Sequence, residues 1–352
     1  MIDTEQTLAA FLPALRAADW VAVDTEADSL HAYPEKLCLI QISTAAGDEL
    51  IDPLAGINID PVLDALAGHE LIFHAADYDL RLLRKHHEFV PGAIFDTMLA
   101  ARLLGIRKFS LSDLVETCLG VKLDKGSQKA DWARRPLTER MAEYARNDTR
   151  HLKPLAEKLK EQLREKGRLA WHQESCTRLI ADSSRLQVVD QDFVWRVKGS
   201  SGLSRPALAV LRELWQWRET EALAANRPPF FILNHEAMVN IAAAAAAQQP
   251  LDPLVPRHLS PRRRDGLAVA VQAGGRVPPE QLPEIPRRNG RWPSEAERRR
   301  FAELEKHRDE HATQLDIDPT IIAPRSVLGD LARDWDKHAP ELMHWQRELL
   351  TS

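Results

Sequence analysis

Short apolar stretches of strand length alternate with amphipathic stretches of helix length across residues 1–170, and this alternation restricts the fold more than any other property of the chain. WVAVDTE, KLCLIQIST and DELIDP read as three successive strands, with Gly47 turning the chain between the last two. ELIFH and AIFDT follow as short buried strands, each leading into a helical pattern, DLRLLRKHH and TMLAARLLG. Ser110 and Gly120 bracket another helix as N-cap and terminating glycine. From Leu137 an apolar period of about 3.6 runs through Met141, Tyr144, Leu152, Leu155 and Leu159 to Gly167, and Pro154 is expected to kink or divide it. Such interleaving implies an α/β layer architecture, because the apolar face of each element must be covered by the other kind.

Beyond residue 170 the strand signal fades and the pattern turns helical. ALAVLRELWQWRETEALAANRPP is an amphipathic helix closed by Pro228-Pro229, FILNHEAMVNIAAAAAA is a second one capped by Asn234, and Ser260-Pro261 opens a third that ends at Gly274-Gly275. A proline-rich linker precedes a capping box at Ser294-x-x-Glu297, where a last helical group starts. One α/β domain over 1–170 and two small all-α domains over 205–285 and 290–352 are therefore expected.

The formal charge of -5 is unevenly distributed: residues 1–170 hold 22 Lys and Arg against 27 Asp and Glu, whereas 171–352 hold 25 of each. A domain that gathers carboxylates repels phosphate unless divalent cations are bound there, so the imbalance is tolerable in a metal-dependent phosphodiesterase. Residues 255–300 carry 11 arginines against 5 acids, including Arg262–Arg264 and Arg298–Arg300. That stripe reads equally as a track for a phosphate backbone or as a solvated helix face. Cys38, Cys118 and Cys176 form no C-x-x-C, which argues against a structural zinc site and fits a reducing compartment. No signal-peptide pattern and no apolar run of membrane-spanning length is present, so a cytoplasmic location and no membrane partner are expected.

Four carboxylates and one tyrosine carry the chemistry. Asp24 and Glu26 lie two apart at the end of an apolar strand, so both side chains point to one face. Asp79 follows the ELIFH strand, where the first turn of the next helix can bring a third carboxylate beside them. Tyr144 and Asp148 are four apart and share a helix face. With acids at 52 of 352 positions an acid-x-acid pair arises by accident several times, so the constellation is the signal and no single member is. Hard oxygen ligands in this number suit Mg²⁺ or Mn²⁺, and two such ions roughly 4 Å apart can activate a water and hold the leaving oxygen of an in-line displacement at phosphorus. Tyr144 is then a water-positioning group, since a phenol with a pKa near ~10 is a poor base at neutral pH.

These residues resemble the tyrosine-bearing branch of the DEDD 3′–5′ exonucleases, with Asp24-Thr25-Glu26, Asp79 and Tyr144-x-x-x-Asp148 similar to its three motifs. The histidine-bearing branch would need histidine at position 143, where the chain has Glu143. HAADYDLRLL has Ala75 where many members have asparagine, and this segment, together with LIQIS at 39–43 and LDKGSQKADWARRPLTERMAEYARND at 123–148, resembles the ribonuclease D family. LRELWQWRETEALAANRPPFFILNHEAMVNIA is similar to the helicase-and-RNase-D C-terminal (HRDC) domain, and IDPTIIAPRSVLGDLARD with LMHWQRELL to a second copy. The resemblance implies a ribonuclease-H-like mixed sheet flanked by helices, and an exoribonuclease that binds two divalent ions and needs no organic cofactor. It also implies trimming of tRNA precursors and other structured RNAs, with release of nucleoside 5′-monophosphates. Asp24, Glu26, Asp79 and Asp148 are the implied ligands, and Leu30 the implied contact to the terminal base. His74 is either a substitute for the missing asparagine or a satisfied core histidine. A DNA exonuclease of the same mechanism and a non-catalytic RNA-binding scaffold are the alternatives.

Other residues have two readings. Lys125, Gln128, Lys129 and Trp132 lie in a polar segment and are candidates for phosphate contacts and base stacking, although a lone tryptophan is more often packing. Asp77 is expected to be a helix N-cap, Asp96 a cap before a ligand, and Asp28 and Asp52 turn residues. Trp215, Trp217, Phe230 and Phe231 are expected in the helical core.

Overall fold

The computed structural model describes all residues except 125, 186–189, 286–291 and 352. The chain divides into two compact units, one built from Met1–Ala27, Leu37–Leu186 and Gly290–Ser352, the other from Asp28–Lys36 and Gln187–Asn289.

The first unit holds a five-stranded sheet of β1 (Val21–Ala27), β2 (Leu37–Thr44), β3 (Gly47–Ile51), β4 (Glu70–Phe73) and β5 (Ala93–Asp96), in the order β3-β2-β1-β4-β5. β1, β2 and β3 pair antiparallel, while β1, β4 and β5 run parallel, so the sheet is mixed. Its helices are α1 (Glu5–Arg16), α2 (Asp60–Leu66), α3 (Asp77–His87), α4 (Thr97–Leu103), α5 (Leu111–Leu119), α6 (Glu139–Arg150), α7 (Leu152–Glu165) and α8 (Leu169–Ser184). One layer of the core packs Val21, Val23, Ile40, Ile42 and Phe73 against Leu8, Leu15, Leu66 and Leu83. The other packs Ala22, Ile72 and Phe95 against Leu103, Leu114, Leu155 and Leu159. The long periodic run from Leu137 breaks at His151, so Pro154 falls in the first turn of α7, where a missing N–H costs nothing.

In the second unit α9 (Arg205–Ala225), α10 (Pro229–Ile232), α11 (His235–Ala246) and α12 (Pro261–Gly275) surround a core of Leu208, Leu211, Leu214, Met238, Ile241 and Leu267. Trp215 and Trp217 pack partly buried against it. Phe230 and Phe231 do not enter it: they are 49% and 48% exposed. With α10 only four residues long, Ile232 and Leu233 take the inward positions and turn both phenyl rings outward. Arg262 and Arg263 both bind the Glu221 carboxylate, at 2.5 and 3.0 Å, and Arg264 donates to the carbonyls of Leu259, Pro256 and Arg257. This part of the arginine stripe therefore fastens α12 to its surroundings. Arg287, Arg288 and Arg291 lie outside the described residues.

Residues 290–352, expected as a separate domain, share the core of the first unit. α13 (Glu295–Leu315), α14 (Pro319–Ile322), α15 (Arg325–Arg333), α16 (Trp335–His338) and α17 (His344–Thr351) contribute Ala312, Ile317, Leu328, Leu331 and Trp345 to the cluster that contains Leu103 and Leu155. Trp345 stacks on Trp171 at 5.0 Å, and the buried Arg168 guanidinium donates to the carbonyls of Leu103 and Leu315. The α13–α15 stretch repeats the pattern of α9–α11: a serine-capped 21-residue helix, a left-handed residue at its end (Asn226, Asp316) and a four-residue helix opened by proline.

Gly105, at φ +84°, meets this segment directly, since a Cβ there would collide with the Asp316 carbonyl oxygen. Gly105→Ala combines an αL penalty with a backbone clash, and should destabilise the first unit by roughly 2–4 kcal/mol in chemical denaturation. A change under ~0.5 kcal/mol would show that the contact is not tight.

Candidate active site

β1 and β2 set the stage. In the antiparallel register Asp24 faces Gln41 and Glu26 faces Leu39, so Asp24, Glu26, Leu39, Gln41 and Ser43 share one face of the sheet. α6 covers that face of β2, with Met141, Ala145 and the partly buried Tyr144 packed against Cys38 and Leu39. Thr138 caps α6 by accepting from the Met141 amide at 3.2 Å. Near its other end Thr149 exchanges a 2.7 Å hydrogen bond with Ser43, whose hydroxyl also donates to Asp48 at 2.6 Å, while Arg150 donates to the second oxygen of that carboxylate at 2.6 Å. This network holds the C-terminal half of α6, and with it Asp148, against β2 and β3.

Carboxylate oxygens of Asp24, Glu26 and Asp148 lie within 4.8 Å of one another. Tyr144 donates its phenol proton to Asp148, one helical turn away. Asp79 stands beside this trio and is held differently: its Oδ1 accepts from the Thr25 amide at 3.0 Å and from the Thr25 hydroxyl at 2.5 Å. Thr25, between the two acids of β1, thus ties the acid of α3 to the strand. Gln41, which sequence reasoning missed, donates its amide to Asp24 at 3.3 Å. The strand pairing that places it there is not readable from one strand alone.

The turn that aims Asp79 is built by Asp96. Its fully buried carboxylate accepts from the amides of Ala75 and Ala76 before α3 and of Met98 and Leu99 at the start of α4. This lets Ala75 adopt φ 61°, a left-handed conformation that costs a non-glycine residue roughly 1 kcal/mol or more. Asp96 is therefore a cap, as expected. Asp77 is not: it is the first residue of α3, its cap is Ala76 without a side-chain bond, and Asp77 pairs with Arg81. Asp52 accepts the Leu54 amide in a turn, while Asp28 opens a turn through its carbonyl, which accepts the His31 amide, and its carboxylate takes the amide of Lys36 eight residues on.

The candidate substrate residues are more dispersed. His74 is partly buried, and its Nδ1 lies 2.9 Å from Thr97 Oγ1, which itself donates to the Phe73 carbonyl. That arrangement puts the proton on Nδ1, and burial keeps the ring neutral by lowering its pKa. Gln128 and Lys129 are exposed, while Lys125 lies outside the described residues. Leu30 is 45% exposed in a segment that belongs to the second unit. Trp132 cannot act as a stacking platform, because it is 1% exposed inside the cluster under α6.

Electrostatics distinguish this cluster from an ordinary polar surface. Burial, and then repulsion from Asp79, Asp148 and Glu26, pushes Asp24 well above the usual carboxylate range. Glu26 is pushed up to about 9 by burial and then by Asp148 and Asp79. Asp79 and Asp148 are each raised to about 7, mainly by burial, with Thr25 and Tyr144 respectively opposing the shift by hydrogen bonding. Burial and the surrounding carboxylates raise Tyr144 above the ordinary phenol value, so it stays protonated at any physiological pH. Four carboxyls here cannot all ionise unless cations share their charge. An all-oxygen, acid-rich donor set of this kind fits a hard divalent cation.

Residues 1–164 match the family model described as 3′-5′ exonuclease, and residues 207–249 match the HRDC domain. Ribonuclease D of Zymomonas mobilis is 36% identical over 301 residues, covering 83% of this chain and 76% of its own. Ribonuclease D of Granulibacter bethesdensis is 30% identical, covering 99% and 90%. The chain belongs to the ribonuclease D family. Membership makes it a 3′–5′ exoribonuclease, with the catalytic residues to be sought in the matched N-terminal region. Among solved ribonuclease D structures, that of the Escherichia coli enzyme, an exoribonuclease involved in structured RNA processing, superposes with a TM-score of 0.75 at 25% identity, covering 99% of this chain and 97% of that one. The catalytic core of RRP6 from Trypanosoma brucei gives 0.65 at 28% identity over 78% of this chain and 77% of its own.

Proposed function

We propose that Asp24, Glu26, Asp79 and Asp148 hold two divalent cations, Mg²⁺ or Mn²⁺, and that this ribonuclease D hydrolyses RNA from the 3′ end to nucleoside 5′-monophosphates. The observation that carries the reading is the meeting of three partly buried carboxylates within 4.8 Å, with a buried fourth fastened beside them, in a setting that penalises their charge. When bound, such ions acidify a water and offset charge on the leaving oxygen.

The chain's own side chains do the rest. Thr25 and Gln41 orient the carboxylates of Asp79 and Asp24. Tyr144, being protonated, is a hydrogen-bond donor and no base, so its task is to orient the attacking water while Asp148 accepts its proton bond in the resting enzyme. Tyr144 and the four carboxylates are the proposed catalytic residues. Gln128 and Lys129, exposed ahead of α6, are proposed to meet the RNA, with Leu30 against its terminal base.

Precursor tRNAs and other structured RNAs are the proposed substrates, supported by the likeness to Escherichia coli RNase D along the chain's length. The helical repeat of α9–α11 in α13–α15 supports a second HRDC-like module, here packed into the catalytic unit. Among the described residues no helix is long and apolar enough to cross a membrane.

A 5′-labelled precursor tRNA should shorten one nucleotide at a time in Mg²⁺, stop on addition of EDTA and resume with Mn²⁺, with only 5′-monophosphates released. Trimming that continues in EDTA would remove the cation site from the reaction, and faster digestion of a matched DNA strand would favour the DNA reading.

A further inference from the structure

The buried tryptophan ahead of α6 has a use other than base stacking. Trp132 lies in the cluster formed by Cys38, Leu39, Leu50, Met141 and Ala145, and its ring sits 6.1 Å from the Tyr144 ring, tilted by 42°. Its indole N–H is buried with no hydrogen-bond partner among the described residues, so the position exploits the broad flat surface of the side chain and not its polar atom.

Arg135 fixes the segment that carries it. Nε and Nη2 donate to the two oxygens of Asp52 at 2.5 and 2.6 Å, and Nη2 also reaches the Cys38 carbonyl at 2.8 Å. Nη1 donates to the carbonyl of Trp132 itself at 2.8 Å. One guanidinium therefore joins the chain end of β3, the start of β2 and the backbone of Trp132, in the fork geometry that lysine lacks. The Tyr144 phenol bonds Asp148, and its ring lies against the same cluster beside Trp132.

We infer that Trp132, locked by the Arg135–Asp52 pair, is a positioning residue for Tyr144, an inference that rests on the water-orienting role proposed for that phenol. A displacement of the phenol by about 1 Å is enough to cost up to ~10²-fold in rate. Trp132→Leu, which removes the ring but keeps the site apolar, should lower kcat by about 10- to 100-fold. KM for RNA and the Mn²⁺ dissociation constant measured calorimetrically should stay within about threefold, because the Trp132 ring is buried in the apolar cluster under α6. Trp132→Phe keeps a ring and discards the unpartnered N–H, and should retain activity within about threefold. Arg135→Gln should give a smaller kcat loss of the same kind.

The deciding measurement is the cycle with Tyr144→Phe: on that background Trp132→Leu should cost less than about threefold more, since the group it positions is already gone. Full additivity overturns the inference, as does a rise in KM with kcat unchanged, which would make Trp132 a substrate contact after all. If Trp132→Leu fails to fold by circular dichroism, the same cycle run with Arg135→Gln decides by the same criterion. Tyr144→Phe alone as active as the unsubstituted enzyme sinks the role of Tyr144 and this inference with it. A strong Tyr144→Phe defect with additive Trp132 loss sinks the inference alone.

Discussion

Replacing Asp24 with asparagine is expected to lower kcat on RNA by at least ~10³-fold, equivalent to about 4 kcal/mol of lost transition-state stabilisation. The amide keeps the size and shape of the native side chain, and its carbonyl oxygen can still accept from Gln41 across the strand pair. What disappears is one negative charge at the place where Asp79, Asp148 and Glu26 all act on the same group. Cation affinity should therefore fall with activity, and Mn²⁺ titration followed calorimetrically should show weaker uptake or one site fewer. The sign on stability is the reverse of that for most buried substitutions. In EDTA the Asp24→Asn protein should melt at or above the unsubstituted one, because the crowded carboxyls repel less. Activity within tenfold of the parent would show that Asp24 is no cation ligand. A large fall in melting temperature in EDTA would show instead that Asp24 is a structural residue.

Much of this site was legible in the sequence because it rests on two local periodicities. Alternation along VAVDTEA places Asp24 and Glu26 on one face, and the i, i+4 spacing places Tyr144 over Asp148. The strands and the helices that follow them were legible for the same reason, being apolar runs closed by aspartates and glycines with definite capping roles. Contacts between segments far apart in sequence were not. Gln41 meets Asp24 only through strand register, Thr25 meets Asp79 only through the turn that Asp96 builds, and neither leaves a pattern in its own neighbourhood. Trp132 illustrates the same limit from the other side. A tryptophan among Lys, Gln and Asp has the composition of an exposed RNA contact, yet Arg135 reaches across to Asp52 and draws the ring inward. Phe230 and Phe231 err in the opposite direction: two aromatics beside an apolar run promise a core, but a four-residue helix has only one inward face. The helices of residues 290–352 repeat those of α9–α11 in sequence, while their burial against Leu103 and Leu155 depends on residues about 200 positions earlier.

The second large effect is a reversal of the pH dependence of stability on adding cations. In cation-free protein Asp79 and Asp148 are held at about 7 and Glu26 at about 9, against ordinary carboxyl values near 4 in the unfolded chain. Between roughly pH 4 and pH 9 the folded state therefore binds more protons than the unfolded state, and stability must fall as pH rises. The contribution is complete below the unfolded pKa values and is lost as each folded value is passed. For groups this buried it amounts to a few kcal/mol, or roughly 10 °C in melting temperature between pH 5.5 and 8.5 in EDTA. Mg²⁺ or Mn²⁺ competes with those protons, so saturating cation should add little at pH 5.5 and most at pH 8.5, flattening the profile. Each cation bound near neutral pH should also release protons, measurable as a dependence of the calorimetric heat on the ionisation enthalpy of the buffer. The control is a Glu26→Gln, Asp148→Asn double variant, in which fewer carboxyls remain to repel one another. Its EDTA profile should be clearly shallower over the same range, with only Asp24 and Asp79 left to titrate, and its response to Mg²⁺ should shrink with it. Parallel EDTA profiles for parent and double variant would mean that the pH dependence arises elsewhere in the molecule, and that the cluster on β1 and α6 is not where proton and cation compete.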